Sequence, residues 1–147
     1  MAKLARDIMT TNPACCHPDT HLDEVARMMV NNDCGEIPVV DNREHVIGVI
    51  TDRDIVCRVV AQGINPATHT VEGIMTRSVV TVREDSLLED VISTMERHQI
   101  RRVPVVYDGG MCTGIIAQAD LARTAPEHEV AELVCEVSQR TGRPARL

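Results

Sequence analysis

The 147-residue sequence contains no phenylalanine and no tryptophan, and Tyr107 is its single aromatic residue. Any core must therefore be aliphatic, built from Val, Ile, Leu, Met and Ala, and the stacking platforms used to hold single-stranded nucleic acid are missing. Positive charge is also short, with 15 Lys and Arg against 22 Asp and Glu, a net charge of -7. That balance argues against broad association with nucleic acid or anionic lipid. No apolar run approaches the ~20 residues that span a bilayer, and the opening MAKLARDIMT has no apolar centre of the kind a signal peptide needs. The expectation is a cytoplasmic globule with neither a membrane nor a nucleic-acid partner.

A spaced cysteine pair is absent too. The six cysteines, at 15, 16, 34, 57, 112 and 135, are scattered through apolar segments of a chain large enough to fold without bridges. Most read as small buried hydrophobes. Cys15-Cys16-His17, with His21 nearby, is the one cluster to weigh as a metal site, but adjacent residues in extended chain point to opposite faces. No metal is expected.

What the sequence does have is a repeat. Met9 and Met75, Asp19 and Asp85, Val25 and Val91, Met29 and Met95, Pro38 and Pro104, Gly48 and Gly114, and Asp54 and Asp120 all stand 66 residues apart without a gap. A period this strict is architectural. Each copy reads as helix, two strands, helix. Thr20 to Asp23 and Ser86 to Glu89 have the capping-box form, and they open amphipathic runs with Leu22, Val25, Met28 and Met29, or Leu88, Val91, Ile92 and Met95, on one face. The strand pairs are 37–40 with 46–50 and 103–106 with 112–116, with Pro38 and Pro104 suiting an edge or the first residue of a strand. A second helix follows from about Thr51 or Ala117. A last helix starts after Pro126, with Val130, Leu133, Val134 and Val137 on one face, and Gly142 and Pro144 stop it. One copy could cover only one apolar face, so the two must pack together.

These motifs, DIMT and GIMT, the two PVV strands, and the G-x-x-T-x-x-D and G-x-x-A-x-x-D ends, resemble tandem CBS domains. Length, the TDRDIV segment and the PEHEV tail are similar to the short stand-alone two-CBS proteins of bacteria, including the hypoxic-response type. The resemblance implies an α/β (α+β) fold in which two CBS repeats pack as a pseudo-two-fold Bateman module with a C-terminal helix. The expected division is CBS domain 1 over 5–62, a linker over 63–72, CBS domain 2 over 73–125 and the helix over 126–141. It further implies a non-enzymatic regulatory module, commonly a homodimer, that binds AMP, ADP or ATP between the copies, with S-adenosylmethionine and NAD as second choices. Its output would pass through a downstream protein. No cofactor and no catalytic residue are implied.

The stretch 48–56, GVITDRDIV, holds the centre of the expected site. Thr51 and Asp54 form a T-x-x-D capping box, worth about 1 kcal/mol by itself. A helix N-terminus also suits a phosphate, and by resemblance Thr51 would touch phosphate or ribose while Asp54 accepts from the ribose hydroxyls. In the second copy Ala117 has no capping oxygen, yet Asp120 persists, which leans towards a diol-binding aspartate. By resemblance, too, the residues before each PVV strand reach the ligand of the other copy. Arg101 and Arg102 would then face the Thr51/Asp54 site with guanidinium groups suited to phosphate, whereas Glu36 would face the Asp120 site and repel it. The alternative is a solvated arginine pair. Ile37, Val39 and Val80 are candidate walls for adenine, though strand alternation gives them a core role equally well. The competing functions are a redox or metal sensor using Cys15, Cys16 and Cys34, or a structural dimer without ligand.

Overall fold

The computed structural model describes residues 2–77 and 79–139, and in them both copies carry the order helix, two strands, helix. In chain order the elements are α1 (Ala5–Ile8), β1 (Thr10–Thr11), α2 (Leu22–Asn32), β2 (Glu36–Val40), β3 (Val46–Thr51), α3 (Asp52–Ile55, running on as one π-helical stretch Val56–Val60), β4 (Val82–Arg83), α4 (Leu88–His98), β5 (Arg102–Tyr107), β6 (Met111–Ala117), α5 (Gln118–Thr124) and α6 (Glu127–Val137). The expected stop of the last helix at Gly142 and Pro144 lies outside the described residues.

The two amphipathic helices bury the faces expected of them: Leu22, Val25 and Met29 in α2, and Val91, Ile92 and Met95 in α4. Their starts differ from the expectation. Thr20 and Ser86 do not cap; their hydroxyls turn back to accept the N–H of His17 and of Arg83, each at 3.0 Å. The helices open one residue later and take backbone carbonyls from elsewhere. The Leu22 N–H donates to His69 O at 3.0 Å, and the Leu88 N–H donates to Lys3 O, also at 3.0 Å. In return, Val71 N–H donates to Thr20 O and Ala5 N–H to Ser86 O. Orphan N–H groups at a helix start need a partner, and here tertiary structure supplies it in place of a side chain.

His69 and Val71 lead into the second copy, and Lys3 and Ala5 into the first. Each copy is thus completed by the opening segment of the other. The sheets repeat the exchange. A four-stranded sheet runs β1-β6-β5-β4, in which β1 of the first copy pairs antiparallel with β6 of the second, Thr10 opposite Ile115. The counterpart is the bridge between Thr76 and Val49, set beside the β2–β3 hairpin. The cores follow suit: Ala5, Ile8 and Met9 pack with the second copy's Val103, Val105 and Ile116, whereas Val71, Ile74 and Met75 pack with the first copy's Ile37, Val39 and Ile50. A Cβ on Gly114 would collide with Met9 Sδ, and one on Gly48 would lie 2.8 Å from Thr76 O. Glycine at these two strand positions lets the exchanged segment come close.

Two expectations are corrected. Pro104 lies on β5, an interior strand of the four-stranded sheet and not an edge; its missing N–H goes unnoticed because β4 pairs with β5 only from Val105 onward. In α6 only Leu133 and Val137 are buried, and Val134 is 38% exposed.

Candidate ligand clefts

Where β3 gives way to α3, a run of β-branched residues ends on a polar turn. There the Thr51 Oγ1 accepts the Asp54 N–H at 3.0 Å, and Asp54 Oδ2 accepts the Thr51 N–H at 3.0 Å, a complete capping box. Where β6 gives way to α5 the box is half present: Asp120 Oδ2 accepts the Ala117 N–H at 2.8 Å, with no hydroxyl to answer it. Asp120 therefore has a structural partner after all, so its persistence beside Ala117 does not separate capping from ligand binding. The other oxygen of each carboxylate is less committed. Asp54 Oδ1 lies 3.8 Å from Arg58 Nε, and Asp120 Oδ1 lies 3.8 Å from Arg123 Nη2, both beyond hydrogen-bonding distance.

Thr51 and Asp54 line a cleft of about 520 Å³ together with Val80, Ile100, Arg101 and Arg102. First-copy and second-copy residues thus meet in one place, and among the described residues neither the Arg101 nor the Arg102 guanidinium has a hydrogen-bond partner. Asp120 and Ala117 line a second cleft of about 890 Å³ with residues 10–14 of the opening segment, Asp33, Cys34 and Arg123. Both volumes suit a ligand of nucleotide size, for which sites run from ~300 to ~1,000 Å³.

The division of charge is less clean than the sequence suggested. Arg101 lines only the Asp54 cleft, but Arg102 and Glu36 line both. The reason is the pseudo-two-fold itself: Glu36 and Arg102 are 66 residues apart, so the symmetry brings them to equivalent places between the clefts. Arg102 reaches over the bare backbone of Gly35, where a Cβ would lie 3.0 Å from Arg102 Nη2 and 2.8 Å from Asp52 Oδ2. Glu36 is only 8% exposed. Burial pushes its carboxyl up to about 7; Arg102 opposes the rise, and Asp54 and Asp52 add to it. The Asp54 cleft sets Arg53, Arg101 and Arg102 against Glu36, Asp52 and Asp54, whereas the Asp120 cleft sets two arginines against Asp33, Glu36, Asp52 and Asp120. The first is balanced and the second acidic.

Ile37 and Val39 line neither cleft. Both are fully buried in the first copy's core, so their role as adenine walls is withdrawn; Val80 remains in the cleft, joined by Ile100. The cysteine trio does not assemble either. Cys16 is 2% exposed in the core, and Cys34 has Glu36, Arg102, Asp33 and Asp52 as its polar surroundings. Thr76, which also lines the Asp54 cleft, was missed as a site residue.

A family model described as the CBS domain matches residues 5–61 and 71–127. The chain belongs to the CBS domain family. Among CBS relatives, Hypoxic response protein 1 of Mycobacterium tuberculosis is 35% identical over 130 residues, 88% of this chain and 90% of that protein. The CBS domain-containing protein YhcV of Bacillus subtilis is 38% identical over 86% of this chain and 88% of its own length. The crystal structure of Hypoxic Response Protein I with two coordinated zinc ions superimposes with a TM-score of 0.77 at 33% identity, covering 84% of this chain and all of that one. A CBS domain pair solved with 5′-methylthioadenosine and S-adenosyl-L-methionine gives 0.75 at 32% identity, over 84% and 95% of the two chains. CBSX2 in complex with AMP gives 0.71 at 28%, over 83% and 95%. Among this chain's described residues no group of three His, Cys, Asp or Glu side chains is placed to hold a metal ion. No described helix is long and apolar enough to cross a membrane.

Proposed function

We propose that this CBS pair is a non-enzymatic cytoplasmic sensor that holds a phosphorylated adenosine compound of the AMP, ADP or ATP class in the Asp54 cleft. The observation that carries the reading is the meeting of Thr51 and Asp54 with Arg101 and Arg102 in one cleft of about 520 Å³. The free Oδ1 of Asp54 accepts from the ribose diol while Oδ2 keeps its capping bond. Arg101 and Arg102, which have no protein partner among the described residues, provide charge-assisted hydrogen bonds to the phosphate. Val80 and Ile100 supply apolar contact to the base. CBS pairs solved with AMP, and with 5′-methylthioadenosine and S-adenosyl-L-methionine, support the adenosine class.

The acidic Asp120 cleft disfavours phosphate, because carboxylates repel it, and so suits an adenosine compound without one. Ligand binding favours one arrangement of the two copies in a homodimer, and a downstream protein reads the change. Calorimetric titration with AMP, ATP, S-adenosylmethionine and NAD tests the assignment. AMP or ATP should bind, and Asp54→Ala and Arg101→Ala should each weaken binding at least tenfold while Asp120→Ala leaves it within twofold. Absence of heat with all four compounds, or a loss that follows Asp120 alone, would overturn it.

A further inference from the structure

The two clefts share a wall. Glu36 stands opposite Thr51 in the β2–β3 hairpin and Arg102 stands opposite Ala117 in the β5–β6 hairpin, so each is anchored beside the helix start of its own copy. The places are equivalent: the Asp52 N–H donates to Gly35 O at 2.9 Å at the start of α3, and the Gln118 N–H donates to Arg101 O at 2.8 Å at the start of α5. The Arg102 side chain then leaves its own half. Its Nη2 lies beside Gly35, 3.0 Å from where a Cβ would stand, and Asp52 Oδ2 lies 2.8 Å from the same point. The backbone of Arg102 thus belongs to the Asp120 side, whereas its guanidinium has crossed to the start of α3. Arg53 and Arg101 line the Asp54 cleft and not the other, Arg123 lines the Asp120 cleft and not the other, and Arg102 alone among the described cations lines both.

We propose that Arg102 is a phosphate ligand shared by the two clefts, so that a phosphorylated compound held in one disfavours a second in the other, while a compound without phosphate still enters. This rests on the assignment of a phosphate to the Asp54 cleft. One guanidinium fork faces one set of phosphate oxygens at a time. Drawn to a phosphate beside Thr51 and Asp54, it leaves the Asp120 cleft with Arg123 against Asp33, Glu36, Asp52 and Asp120, and Arg123 already lies 3.8 Å from Asp120 Oδ1. Drawn the other way, it leaves the Asp54 cleft with Arg53 and Arg101. An adenosine compound without phosphate needs no guanidinium, so its hold on the Asp120 cleft does not change. The coupling is reciprocal, because each ligand alters the affinity of the other by the same factor. It exists because position 36 carries glutamate where position 102 carries arginine. An arginine at both would give each cleft its own.

Equilibrium dialysis of the full chain with labelled AMP, carried to large excess, tests the coupling. The unchanged chain should hold one AMP tightly. A second should bind about tenfold more weakly than AMP binds the Asp120 cleft of Asp54→Ala, where Arg102 is free to serve it. Loss of that binding in Asp54→Ala/Asp120→Ala assigns it to the Asp120 cleft. Labelled adenosine should bind the AMP-saturated chain and Asp54→Ala with affinities within twofold of each other. Adding Arg102→Gln to both sides of the AMP comparison should erase the tenfold gap. Glu36→Arg should bring the second AMP close to the first, and Glu36→Gln, which suits the buried position without a charge, should bring it part of the way. Two AMP molecules of equal affinity on the unchanged chain, no AMP on Asp54→Ala, or a gap that persists with Arg102→Gln would overturn the shared ligand and leave the Asp54 assignment standing. No AMP bound to the unchanged chain would overturn both.

Discussion

The two clefts are built from one repeated scaffold and differ in chemistry at a few positions. Thr51 faces Ala117 across the offset, and Arg101-Arg102 face Gly35-Glu36. Backbone geometry survives these changes, since both aspartates cap their helices through the same oxygen. Charge does not: one cleft is balanced and the other acidic. The comparison teaches that in a swapped repeat a local difference has a shared effect. Glu36 and Arg102 lie where the copies meet, so each belongs to both clefts.

The sharpest way to probe that shared position is Glu36→Gln. Burial raises the carboxyl from 4.5 to about 7 in the folded chain. Below 4.5 it is protonated in both states; between the two values the folded chain keeps a proton that the unfolded chain releases. Stability from this group is therefore fully present at low pH and lost as pH rises through about 7, by about 3 kcal/mol in all. Urea unfolding between pH 4 and 8 should show that decline, and Glu36→Gln should remove it and leave the variant more stable at pH 8. An unchanged slope in the variant would mean that another group titrates.

A smaller effect is expected from Gly48→Ala and Gly114→Ala, about 1–3 kcal/mol each. Gly48→Ala should cost more. Its new methyl meets the Thr76 carbonyl, which also accepts the Val49 N–H at 3.0 Å and has nowhere to go, whereas at Gly114 the Met9 side chain can swing aside. Thermal unfolding of both variants measures the difference, and equal losses would show Met9 to be as immobile as backbone.

The smallest effect tests the half-box. Thr51→Ala should cost about 1 kcal/mol, and Ala117→Thr should add up to the same amount. Chemical denaturation at one pH measures both. If Ala117→Thr gains nothing, the N-terminus of α5 is already satisfied without a hydroxyl.

Much of the fold was legible because it rests on local patterns. The 3.6-residue spacing in α2 and α4 and the turn residues of both hairpins each report on a segment of about ten residues, and those elements stand where they were expected. The failures share a cause. Thr20 and Ser86 had the right residue at a plausible cap, but carbonyls from His69 and Lys3 reached the helix starts first. Ile37 and Val39 had the right alternation for a cleft wall, yet the neighbouring helix and the exchanged segment closed over them. The cysteines show it too: Cys16 is buried in the first copy's core, whereas its neighbour in sequence, Cys15, is only half-buried.

The sequence by itself determined the doubling of the chain, the order of helices and strands in each copy, the aliphatic core, and the unequal sets of charged residues that the copies carry. Only the tertiary structure decided that the opening segments change places, which residues face a cleft and not the core, and that Glu36 and Arg102 stand between two clefts. The physical reason is range. Periodicity and capping are set within a turn or two of chain, whereas burial and electrostatic environment depend on whatever surface arrives from far along the sequence.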